Sequence, residues 1–170
     1  MKNTCLTLAC VLSFALLTFA QVKEARKIDE FGFLQCGHFM ARADVAFQDY
    51  ERVPNSKLYV IYYEGKGRQI SVWNKKLRDY ETKWQNPRRG SALNRAKEIV
   101  IYLKNARNLD EKNIILIDGG YREEFSQEIW IVPDGAKTPA PTPTLEEKDI
   151  TFEKGKSRHS RDCSKAYDGY

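Results

Sequence analysis

Apolar residues recur at different spacings along this chain, and each spacing predicts a different element. Over 36–52, Phe39, Met40, Ala43, Ala46, Phe47 and Tyr50 lie three or four positions apart, or adjacent, which draws one apolar stripe along a helix. Pro54-Asn55 stops it. Leu93, Ala96, Ile99, Val100 and Leu103 repeat the pattern behind Ser91, a residue type suited to capping. Residues 27–33 alternate around Ile28 and Phe31 and predict a short strand. The run 58–63 is rich in β-branched and aromatic residues and too short for a stable helix, so it reads as a buried strand. Two more strands are expected over 113–118 and 125–132, the first entered by a turn at 109–112. Gly119-Gly120 is placed at the bend between them, where positive φ is expected.

Residues 64–90 are less regular. Gly65-Lys66-Gly67 opens a loop, and Ile70, Trp73, Leu77, Tyr80 and Trp84 then recur at helical spacing. They predict an extra amphipathic helix over 69–85, ending before Asn86-Pro87. Its tryptophans would pack against the domain or present a sugar-stacking or partner-binding face. The element order is then β-α-β-(α)-α-β-β, an α+β domain spanning 21–133 with helices on one face of the sheet. Beyond Pro133, Pro139, Pro141 and Pro143 alternate with Ala and Thr, as in an extended linker over 134–147. A charged tail, 148–170, follows, with a strand-like piece at 149–153.

The first twenty residues change the picture of where this domain works. Lys2, an apolar run from Cys5 to Phe19 and Ala20 before Gln21 describe a secretory signal, with an uncleaved anchor as the alternative. Residues 21–170 are enough for one domain with a real core, and no stable membrane span is expected after cleavage. Of four cysteines, Cys5 and Cys10 leave with the signal, and Cys36 and Cys163 reach an oxidising compartment. A Cys36–Cys163 bridge would tie the tail to the first helix; two free thiols or an intermolecular bond are the other readings.

The chain has 28 basic and 23 acidic residues, interspersed, as suits a solvated surface. It carries no nucleic-acid-binding motif. His38 and His159 are the only histidines and have no close ligand partners, so no metal and no cofactor are implied. No Ser-His-Asp order exists, and Glu123-Glu124 on a strand would point to opposite faces, so the expectation is a protein that is not an enzyme. Arg88, Arg89 and Arg95 gather at a helix start, where free N–H groups favour anions. They would bind a carboxylate or phosphate, or pair with Glu64, Asp118 or Glu123. Tyr121 would line the same end of the sheet or cover the core edge.

Asn94-Arg95-Ala96, then Val100 and Tyr102-Leu103, then a turn into Ile114-Ile115-Leu116-Ile117-Asp118-Gly119-Gly120-Tyr121, resembles the OmpA-like peptidoglycan-binding domain. The hairpin over 118–133 is also similar to small exported bacterial proteins of unknown function. The OmpA-like resemblance covers about 27–132, with 91–132 its specific part. It implies a β-α-β-α-β-β sheet and a site in which an Asp and an Arg grip the diaminopimelate end of a stem peptide, carboxylate to ammonium and guanidinium to carboxylate. Arg95 stands at the Arg position. The Asp is missing, and Glu64 stands nearest to it. The resemblance therefore implies an exported periplasmic or outer-envelope protein, binding peptidoglycan or another zwitterionic envelope ligand through Arg95 and Glu64. A structural or interaction module that kept the fold and lost the ligand is the alternative, with an envelope protein as its partner.

Overall fold

A computed structural model describes residues 24–157 and 161–165; the export signal expected over 1–20 and His159 lie outside them. Four strands form the main sheet: β1 (Arg26–Phe31), β2 (Ser56–Glu64), β6 (Ile114–Tyr121) and β7 (Ser126–Pro133), in the order β1-β7-β2-β6. β2 and β6 run parallel, and the other two pairings are antiparallel. Two helices, α1 (Cys36–Glu51) and α2 (Ser91–Arg107), complete the α+β domain.

Alternation along the central strands separates two faces. Leu58 and Val60 on β2 pair with Ile131 and Ile129 on β7, and these four join Phe39, Ala43, Ala46, Ala96, Ile99 and Leu103 of the helices in one buried cluster. Burying a Leu or Ile side chain contributes roughly 1.5–3 kcal/mol, so this layer is the main source of stability. Both helices arise where the three-and-four spacing predicts them. The capping differs: the Ser91 hydroxyl donates to Glu64, and Gly90 takes the N-cap position with φ 83°.

The opposite face carries Ile61, Tyr63 and Glu128, and it is crossed by the proline-rich segment. Thr142 N donates to the Tyr63 hydroxyl, and Thr144 N and Leu145 N donate to Tyr121 O. Residues expected as a free linker are thus held along the sheet. The tail returns past α2: β8 (Glu153–Lys156) pairs in parallel with the two-residue β5 (Arg88–Arg89). Cys163 bonds to Cys36 across a Cα–Cα distance of 5.3 Å. A bridge of this kind typically stabilises by about 2–4 kcal/mol, and it is compatible with an oxidising compartment. No helix among the described residues is long and apolar enough to cross a membrane.

Two expectations are corrected. Residues 69–85 are not a helix but a hairpin, β3 (Arg68–Asn74) and β4 (Asp79–Gln85), hydrogen-bonded only to itself. Its true period is two. Ile70, Val72 and Thr82 favour strands, and Asn74 Oδ1 accepts from Lys76 N and Leu77 N to turn the chain. Gly119-Gly120 is not the bend either, because β6 runs through to Tyr121. Gly120 does have φ 82°, but Gly119 is needed for space: a Cβ there would lie 2.4 Å from the Tyr63 ring.

Candidate functional site

The end of β2, the start of α2 and the base of the β3–β4 hairpin enclose a cleft of about 640 Å³. Glu64, Arg88 and Arg95 all line it, together with Phe33, Arg68 and Trp84. Arg89 and Tyr121 do not. They line a smaller recess of about 160 Å³ beside Phe152, and Glu64 is the residue common to both. The five residues singled out from the sequence therefore divide between two neighbouring depressions.

Glu64 reaches its position because the register between β2 and β6 shifts just before it, between Tyr62 and Glu64. Its Oε2 accepts from Ser91 Oγ at 2.7 Å and from Ala92 N at 3.0 Å. The carboxylate thus satisfies one of the free N–H groups at the helix start, with the helix dipole in its favour. Burial is the largest influence on its acidity and raises its pKa, against the hydrogen bonds from Ser91, Ala92 and Gly65. This carboxylate already has a structural task, and both its Ser91 and Ala92 bonds fall on one oxygen.

Arg95 sits one turn into α2. Its Nη1 bonds both oxygens of buried Glu98, at 3.2 and 3.3 Å. Glu98 also receives the Arg161 guanidinium at 3.0 Å, so one carboxylate serves two arginines. The Arg95 guanidinium lies 3.9 Å from the centre of the Phe33 ring, and that of Arg68 lies 3.5 Å from the same centre. Two planar cations at those distances do not fit on one face, so Phe33 is held between them. Burial lowers the pKa of both arginines, and the positive charge of Arg161 lowers each further. A guanidinium stays protonated regardless. Arg95 and Arg161 thus share the carboxylate of Glu98 and Arg68 has none, while Glu64, Glu123, Glu124 and Glu153 also line the cleft.

Among the described residues, Arg68 forms no ion pair; its only side-chain hydrogen bond is a long one, 3.5 Å, to Gln85. The other predicted arginines find acids unlike those expected. Arg88 bonds Glu153 at 3.1 Å, and Arg89 pairs with Glu147 while stacking over Phe152. Tyr121 packs edge-on against Phe152, ring centres 6.4 Å apart, which makes that recess an aromatic seam between sheet and tail. Lys66, not an arginine, takes Glu123 at 2.9 Å.

Arg68 follows the Gly65–Gly67 loop, and the sequence brings it near the helix start only if the inserted segment folds back, as it does here. Nothing marked Phe33 or Glu98 as site residues: Phe33 ends the expected strand, and Glu98 pairs both with Arg95 one turn away and with Arg161 in the distant tail. Among the described residues no group of three or more His, Cys, Asp or Glu side chains is placed to hold a metal ion. Comparison with protein-family models, curated proteins and solved structures finds no match for this chain.

Proposed function

We propose that this is a non-catalytic exported envelope protein whose cleft binds a small zwitterionic or anionic group, such as the end of a peptidoglycan stem peptide. The observation that carries this reading is the meeting of Glu64, Arg68 and Arg95 in one cleft, with Arg68 lacking a carboxylate partner. Arg68 offers a ligand carboxylate two parallel N–H donors, backed by the positive field of Arg95 and Arg161. Glu124 and Glu64, which also line the cleft, supply negative charge for an ammonium group. The sequence of main elements, with the hairpin set aside, is the order the OmpA-like resemblance implies, and this supports a peptidoglycan ligand.

Co-sedimentation with purified sacculi tests the proposal. Wild type should pellet, and Arg68→Ala should weaken binding about 10- to 100-fold, the loss expected for a charge-assisted hydrogen-bonded contact. Failure of the wild type to bind would sink this reading.

A second reading has its own support. Glu64 caps α2 and Arg95 is paired with Glu98, so both halves of the expected clamp already serve the fold. The protein would then be an interaction module that retained the architecture without the ligand. Equal and negligible pelleting of wild type, Arg68→Ala and Arg95→Ala is its signature.

A further inference from the structure

The β3–β4 hairpin stands apart from the main sheet, and its register sorts its side chains. Trp73 is opposite Tyr80, and Gln69 is opposite Trp84, so both tryptophans and the tyrosine share one face. That face is open: Trp73, Tyr80 and Trp84 are 49%, 68% and 60% exposed, and Leu77 at the tip is 69% exposed. Trp73 and Tyr80 meet edge-on at 5.2 Å, which holds the face together without any cover from the domain. Such a concentration of aromatic surface marks an interaction site and not a stray residue.

Charge decides the partner. Lys75, Lys76 and Arg78 surround Leu77, and none of them forms an ion pair among the described residues, whereas Lys83, further down, is matched by Glu81. An apolar tip ringed by free cations, above Trp and Tyr side chains, is the pattern favoured at the boundary between an anionic lipid surface and its acyl chains. A neutral glycan would use the aromatic rings and leave the cations idle. A second copy of this chain would bring the same three cations against themselves.

We propose that the β3–β4 hairpin is a peripheral membrane-docking device that sets Leu77 and the Trp73–Tyr80–Trp84 face into the interface of an anionic bilayer. It holds the protein on a surface without crossing it; Trp84 also lines the cleft, so the tip, Lys75 to Arg78, is the part that tests docking apart from cleft binding.

The test uses the full chain and vesicles of phosphatidylglycerol and phosphatidylcholine, with bromine on the acyl chains to quench nearby tryptophan. Wild-type emission should be quenched on the anionic vesicles and not on phosphatidylcholine alone. The Trp73→Phe/Trp84→Phe protein, which keeps only Trp130, should show little quenching. Neutralising Lys75, Lys76 and Arg78 to Gln should raise the lipid concentration for half-quenching on the order of 100-fold, given the attraction of each cation to such a surface. Leu77→Asp should weaken binding as well. Because these positions lie outside the core, circular dichroism should be unchanged in every variant. The proposal is overturned if wild type is not quenched, or if the neutralised and Leu77→Asp proteins bind as wild type does. It is equally overturned if the face instead responds to soluble oligosaccharide, or if Leu77→Asp dissolves a dimer while leaving lipid binding intact. Sacculus binding is scored separately, so failure here leaves the cleft reading standing.

Discussion

Among the described residues, two arginines stack on aromatic rings at 3.5 Å, and they live in opposite circumstances. Arg122, on the strapped face of the sheet, lies over Tyr63 and is 15% exposed. Its Nη2 donates to Glu128 and Thr142 Oγ1, its Nη1 to Glu30 and Ser126, and its Nε to Thr142 O. Every nitrogen is used. Arg68, in the cleft, lies over Phe33 and has one long bond to Gln85. The stacking distance is the same, so stacking alone says nothing about role. What separates the two is how far the hydrogen-bonding capacity is filled: Arg122 joins strand, turn and strap, and Arg68 is left able to take a ligand.

The largest way to break this contrast is Arg122→Ala. Buried Glu128 would lose its nearest cation, keeping Trp130 Nε1 at 2.9 Å and Lys27 at 4.0 Å. Removing one partner of a buried pair costs about 3–5 kcal/mol, to be read as a lower urea midpoint. A loss under about 1 kcal/mol would mean that Arg122 is not the keystone its contacts imply.

Next in size is the Cys36→Ser/Cys163→Ser protein, expected to lose about 2–4 kcal/mol. The bridge anchors the segment that brings Arg161 to Glu98. Hydrogen exchange should therefore rise along α2 near Glu98 and not along β7. Uniform acceleration would show that the two regions are not separable.

Glu64→Gln should change stability by about 1 kcal/mol at neutral pH, the usual worth of one such hydrogen-bonding group. Its effect on pH dependence is more informative. The folded-state pKa is raised by burial, so between the ordinary carboxylate range and the raised value the folded chain holds a proton that the unfolded chain has lost. Stability of the wild type should fall as pH rises through that window. Denaturation midpoints of Glu64→Gln should lack this component, and parallel profiles would contradict the assignment.

The smallest expected stability effect is that of Arg68→Ala. A cation over a partly exposed ring contributes about 0.5–1 kcal/mol, yet this variant should show the larger binding defect. If Arg68→Ala proves as destabilising as Arg122→Ala, the contrast between an open and a filled arginine collapses.

Much of the core was legible from the residues. The stripes through Phe39, Ala43 and Ala46 and through Ala96, Ile99 and Leu103 are helical because a buried helical face must repeat every three or four positions. The hairpin was misread for an instructive reason. Ile70, Trp73, Leu77, Tyr80 and Trp84 fit helical spacing by coincidence, and the weaker alternation of Ile70 and Val72 carried the true period. Trp73, Leu77, Tyr80 and Trp84 are all exposed, so no core dictated the pattern. At the site, Glu64 and Arg95 line one cleft. The Arg95–Glu98 pair, three residues apart on a helix, has a spacing the sequence offers, and the other partners do not. Arg161 meets Glu98 from 63 residues away, and Phe33 meets Arg68 and Arg95, through tertiary packing that local spacing does not encode. The prolines at 139, 141 and 143 read as a linker because they cannot donate to a sheet; Thr142 and Thr144, between and beside them, supply the donors instead.

The bridge between Cys36 and Cys163 also has a meaning in time. Its two ends are 127 residues apart. At a synthesis rate of about 5–20 residues per second, Cys36 waits on the order of ten seconds before its partner exists. The sulfur–sulfur bond can close only once both ends have been made, so its formation can serve as a clock for the arrival of the last segment.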